Sequence, residues 1–146
     1  MNAVTIAQLG CGMLFTVGLL TGFWKYRRMI TSPDGQAPPY VDICHRTALM
    51  YAFASLVLGE FAGLSAWPDR VNAAAVTVPL FFFCASVAIY AVHGLLGDTD
   101  NQLQRPHRLG GRHVHGGAIS FYMYLLTAGE LGGFLVLLTG FFRGLA

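Results

Sequence analysis

Residues 42–63, DICHRTALMYAFASLVLGEFAG, are apolar and long enough to lie across a bilayer as a helix, yet His45 stands near one end and Glu60 near the other. Ionisable groups inside a membrane segment are costly and usually functional. Ala48, Ala52, Ser55, Gly59 and Gly63 recur every three or four positions, which puts them on one helix face. A face of small residues lets another helix, or a flat ligand, approach the backbone closely. A histidine therefore heads a small-residue groove.

The rest of the chain has the same character. Of 146 residues, 55% are hydrophobic and 11% charged, where a soluble domain is about a quarter charged. The formal charge of +2 is too small for a nucleic-acid footprint and fits membrane topology instead. Cys11, Cys44 and Cys84 all lie in apolar runs and read as small core residues, not a disulfide framework.

Hydropathy predicts a single all-α transmembrane domain over 1–146, a four-helix bundle with helices at about 3–24, 42–64, 71–96 and 115–142. No positive charge precedes the first apolar run and no small-residue cleavage site ends it, so it reads as a retained span stopped by Lys25, Arg27 and Arg28. Asp42 suits the first turn of the second helix, and Pro68 the start of the third. The two loops on one side hold Lys25, Arg27, Arg28, Arg105, Arg108 and Arg112, against Arg70 and Arg143 on the other. That bias predicts a multi-pass protein of the inner (plasma) membrane with both termini outside.

A shift of seventy positions superposes His45 on His115, Ala48 on Ala118, and Gly59-Glu60 on Gly129-Glu130. The chain thus reads as two tandem helical hairpins related by an axis along the membrane normal.

The second and fourth helices enter, and the third leaves, through the same face. His45, Tyr90, His93 and His115 are therefore expected at one level of the bundle. Histidine is the commonest protein ligand of haem iron, and the small-residue face beside His45 leaves room for a macrocycle. His45 paired with His93 or His115 would instead make a bis-histidine b-type cytochrome for electron transfer. His107, His113 and His115, with Asp98 or Asp100, would offer a small metal ion a site, although their spacing matches no firm motif. A non-enzymatic subunit with structural haem or glutamates is a third reading. Glu60 lies about fifteen residues, roughly 22 Å, beyond His45 and belongs to the opposite leaflet.

Residues of the second and third helices resemble the styrene oxide isomerases, small four-helix membrane proteins that bind haem b and assemble as trimers. His45 matches the family's axial haem ligand. Tyr90, in ASVAIY (85–90), matches its active-site tyrosine. Tyr51 falls where the family carries a substrate-contacting asparagine, and the loop opening with DTDNQ (98–102) departs from the family pattern. The resemblance implies a homotrimer with haem b on His45, Ala48 and Ala52 beside the macrocycle, and Tyr90 and Tyr51 as catalytic residues. It implies a small apolar aryl epoxide as substrate, converted to an aldehyde by ferric-iron Lewis-acid catalysis and a 1,2-hydride shift. Phe81, Phe82, Phe83 and Phe121 would then line an aromatic pocket.

Overall fold

In a computed structural model, which describes residues 1–145, the four apolar runs are helices: α1 (Ala3–Ile30), α2 (Pro39–Leu64), α3 (Asp69–Leu96) and α4 (Gly116–Leu145). All four are long and apolar enough to cross a membrane. Large side chains such as Phe23, Phe53 and Leu95 stand exposed on the outer faces. Such faces are stable against acyl chains and not against water, so the chain is an all-α, multi-pass membrane bundle.

The element boundaries follow local chemistry. The cluster at Lys25, Arg27 and Arg28 does not end α1, which runs on to Ile30. Lysine and arginine are good helix formers; their charge limits the span, not the helix. The helix stops at the turn around Ser32-Pro-Asp-Gly. The Asn2 side chain accepts a hydrogen bond from Thr5 N–H at 2.8 Å and caps its start. Pro38 and Pro68 precede α2 and α3, and Asp42 sits in the first turn of α2. At the end of α3, Gly97 is left-handed (φ 59°) and donates its N–H to the His93 carbonyl at 2.8 Å, the usual glycine solution to a helix C-terminus. The long connection to α4 holds a short antiparallel hairpin, β1 (Arg108–Leu109) with β2 (Arg112–His113), which the hydropathy pattern did not announce.

The helices form a rhombus. α2 and α3 make the central pair; α1 packs on both from one side, and α4 on both from the other. Ala7, Leu14, Cys44, Ala48, Ala52, Val76, Leu80 and Phe83 fill the core. Close approach depends on small residues. A Cβ at Gly133 of α4 would stand 2.7 Å from the Ala75 carbonyl oxygen of α3. Gly59 meets Ala7 in the first hairpin, and Gly129 meets Val78 in the second, within one residue of the seventy-residue shift. At the far end Trp67 donates its indole N–H to the Val136 carbonyl at 3.1 Å, and the Arg143 guanidinium lies 4.6 Å over its ring.

Candidate functional site

His45 faces α1. Its Nδ1 is 2.8 Å from the Gly18 carbonyl oxygen. A carbonyl only accepts, so Nδ1 carries the proton and donates it. Gly22, one turn further along α1, makes room for the ring: a Cβ there would come within 2.8 Å of the imidazole Cε1. The half-buried ring is thus fixed in tautomer and orientation, and Nε2 makes no hydrogen bond to protein among the described residues. An imidazole tied by one nitrogen to a backbone carbonyl, its other nitrogen free, is the donor arrangement of a metal-ligating histidine.

The groove expected below it is closed. Ala48 and Ala52 are 0% and 1% exposed, sealed within the core by α1 and α3. They are core alanines rather than the floor of an open site, because the small-residue face is taken up by helix packing. The cavities at the α1–α2 turn and around the α3–α4 connection are lined by other residues than His45. The donor set therefore fits a haem iron, whereas the alanines do not fit a macrocycle.

The expected convergence of histidines does not form. His93 is 5% exposed, and its Nδ1 lies 2.8 Å from Asp98 Oδ1. Asp98 also accepts the Gly110 N–H. Burial opposes ionisation of Asp98, but the hydrogen bonds from His93 and Gly110 outweigh it and hold its carboxyl below the usual range. His115 is exposed, with its Nδ1 accepting the Gly117 N–H at 3.1 Å. His107 faces the Gln102 carbonyl at 3.2 Å. His107, His113 and His115 line one open depression of the connection, but among the described residues no three His, Cys, Asp or Glu side chains gather closely enough to hold a metal ion.

Tyr51 and Tyr90 stand together on the opposite edge of the central pair. Six residues after His45, Tyr51 is turned about 120° around α2. Its ring stacks on Phe83 with centroids 4.1 Å apart. Its hydroxyl faces Ser86 and Glu130, and Tyr90 is close by. Tyr90 is 5.9 Å from Tyr40, ring to ring, and near Tyr122 and Glu130. Within one chain neither tyrosine reaches His45. Phe82 and Phe83 are core residues, whereas Phe81 and Phe121 face outward, so the four do not line a common pocket. Glu60 is exposed, but Glu130 turns inward, with Oε1 buried and unpartnered.

Two contributors escaped the sequence reading, Gly18 and Gly22, which cradle His45, and Asp98, expected beside the loop histidines, holds His93 instead. The four-residue glycine spacing in α1 was a usable signal for the first two. No local signal marked the pairing of Asp98 with His93, five residues back across a helix end. No protein-family model, curated protein or solved structure matches the chain.

Proposed function

We propose that the chain is a haem b protein of the inner membrane in which His45 Nε2 is the single protein ligand of the iron, and that it isomerises a small apolar aryl epoxide such as styrene oxide to the aldehyde. One observation carries the choice between this and a bis-histidine cytochrome. Within the spans, His45 has its Nδ1 on a neutral backbone carbonyl and its Nε2 unpartnered, whereas His93 is 5% exposed with its Nδ1 on the Asp98 carboxylate, and His107 and His115 lie in the connection between α3 and α4. Iron held by His45 with no second histidine would remain open to a substrate oxygen, as an isomerase needs and an electron-transfer haem does not.

Bound haem would supply ferric iron as a Lewis acid that polarises a carbon–oxygen bond without net redox change. The chain supplies the rest. The Gly18 carbonyl fixes the His45 tautomer, and Gly22 fixes the ring against α1. Acyl chains against the exposed apolar faces would keep water, which hydrolyses epoxides to diols, away from that surface. Tyr51 and Tyr90 lie on the α4 side of the central pair, so this reading lets them act at His45 only where a neighbouring copy presents them, in keeping with a homotrimer.

The test is the visible spectrum and styrene oxide turnover of protein purified with haem. The expected result is a high-spin ferric spectrum and aldehyde formation, both lost in His45→Ala and kept in His107→Ala and His113→Ala. Absence of a Soret band, or a low-spin six-coordinate spectrum with no turnover, overturns the reading.

A further inference from the structure

Between α3 and α4, roofed by the connection that joins them, is a cavity of about 390 Å³. Its walls are largely apolar: Ile89 and Val92 from α3, Ile119 and Met123 from α4, Leu109 and Val114 from the roof. Cavities of a few hundred Å³ with mostly apolar walls and few polar groups are the usual form of a small-molecule site. His93 also lines it. That histidine is 5% exposed, and its Nδ1 is committed to Asp98. The ring edge bearing Nε2 is the part left for the cavity, and among the described residues Nε2 has no hydrogen-bond partner.

The roof is built around the same histidine. Asp98 receives the Gly110 N–H. Tyr40 lays its ring 4.9 Å from that of His93, and its hydroxyl accepts the Gln102 N–H. The Tyr122 hydroxyl, from α4, lines the same cavity and is buried without a partner, which costs free energy unless a ligand supplies one; a carboxylate, a tyrosine and a loop hold His93 in place beside it. The polarity of the missing partner follows from the tautomer. The ionised Asp98 only accepts, so Nδ1 bears a proton; with one proton on the ring, the Nε2 lone pair takes a donor, and with two, Nε2 would take an acceptor.

We propose that this cavity binds an apolar phenol, its hydroxyl donating to His93 Nε2 and its hydrocarbon part lying between Ile89, Val92, Ile119 and Met123. A phenol donates a stronger hydrogen bond than an alkanol and otherwise presents only apolar surface. The site is independent of His45, which faces the other side of the central pair.

The experiment uses the full chain in detergent and a photoprobe, 4-hexylphenol with a diazirine in its alkyl chain, with labelled residues mapped by mass spectrometry. Labelling is expected on residues 88–92 and 118–123. Unlabelled 4-hexylphenol should compete at least tenfold better than hexylbenzene or 4-hexylbenzoate. Ala118→Trp, which fills the cavity from α4, should abolish the labelling, and His93→Phe should bring phenol and hexylbenzene to equal potency. Should His93→Phe fail to fold, the Ala118→Trp variant and the competitor series still decide. Equal competition by hexylbenzene would mean an acyl-chain crevice, and better competition by the benzoate an anion site on a protonated imidazole. Either outcome, or labelling spread over the lipid-facing surface, overturns the proposal.

Discussion

Replacing Gly22 by alanine tests the anchoring of His45 without touching it. The new Cβ would lie 2.8 Å from the imidazole Cε1 and 3.1 Å from Nδ1, where carbon atoms rest at about 3.5–4.0 Å. The ring must retreat by roughly 0.7–1 Å, which takes Nδ1 from 2.8 Å to beyond hydrogen-bond range of the Gly18 carbonyl. The lost hydrogen bond costs about 1 kcal/mol, and the overpacking about 1–3 kcal/mol. Disturbing the partner that orients a metal-ligating histidine weakens metal binding about 10–100-fold, or roughly 1.4–2.8 kcal/mol. Gly12→Ala is the control: the same helix gains the same alanine propensity of about 1 kcal/mol, and its Cβ meets nothing within 4 Å. Haem titration of the detergent-purified apoprotein, followed at the Soret band, gives the affinities, and thermal unfolding gives the stability. Equal haem affinity in the two variants would refute the reasoning.

The pH dependence of the α3–α4 connection follows from Asp98. Its carboxyl is held below the ordinary range in the folded chain, so its contribution is fully present above the unfolded value of about 3.9 and is lost as pH falls through the lower folded value. Hydrogen exchange at Gly110 N–H should accelerate as pH drops below about 4 relative to amides inside the helices, and Asp98→Asn should remove this excess; an unaltered profile in that variant would count against the anchoring role of the carboxylate. Gly133→Ala drives a Cβ against the Ala75 carbonyl and Pro79 and should cost about 1–3 kcal/mol by unfolding in mixed micelles, while Gly132→Ala, with nothing near it, should not. Periplasm-active reporters should be active after Leu145 and inactive after Gly35 and Gly111, from the Lys/Arg bias; the reverse pattern inverts the topology.

The sequence disclosed the helices because lipid demands long, unbroken apolar runs, and α1 to α4 differ from the hydropathy reading only at their ends. There the charges of Lys25 to Arg28 marked the membrane boundary while α1 continued to Ile30. The site was less legible. His45 stood out because an imidazole in an apolar run is conspicuous. Which face it took was decided by α1, far from it along the chain, through Gly18 and Gly22. Ala48 and Ala52 look alike as a groove for a ligand or for a helix; only tertiary packing showed that helices fill it. His93 and Asp98 are near neighbours in sequence, but a helix end at Gly97 turns them toward each other, and periodicity says nothing of turns.

The rhombic arrangement has a bearing on how the chain is made. α4 emerges last from the ribosome, buries the smallest share of its residues of the four spans, and alone carries a carboxyl turned inward at mid-helix, Glu130. A solitary α4 would expose that carboxyl to acyl chains during insertion. Docked on α2 and α3 through Gly129 and Gly133, it lodges Glu130 among Tyr51, Tyr90 and Tyr122. The packing surface that receives Glu130 is thus built from α2 and α3, spans that precede α4 in the chain.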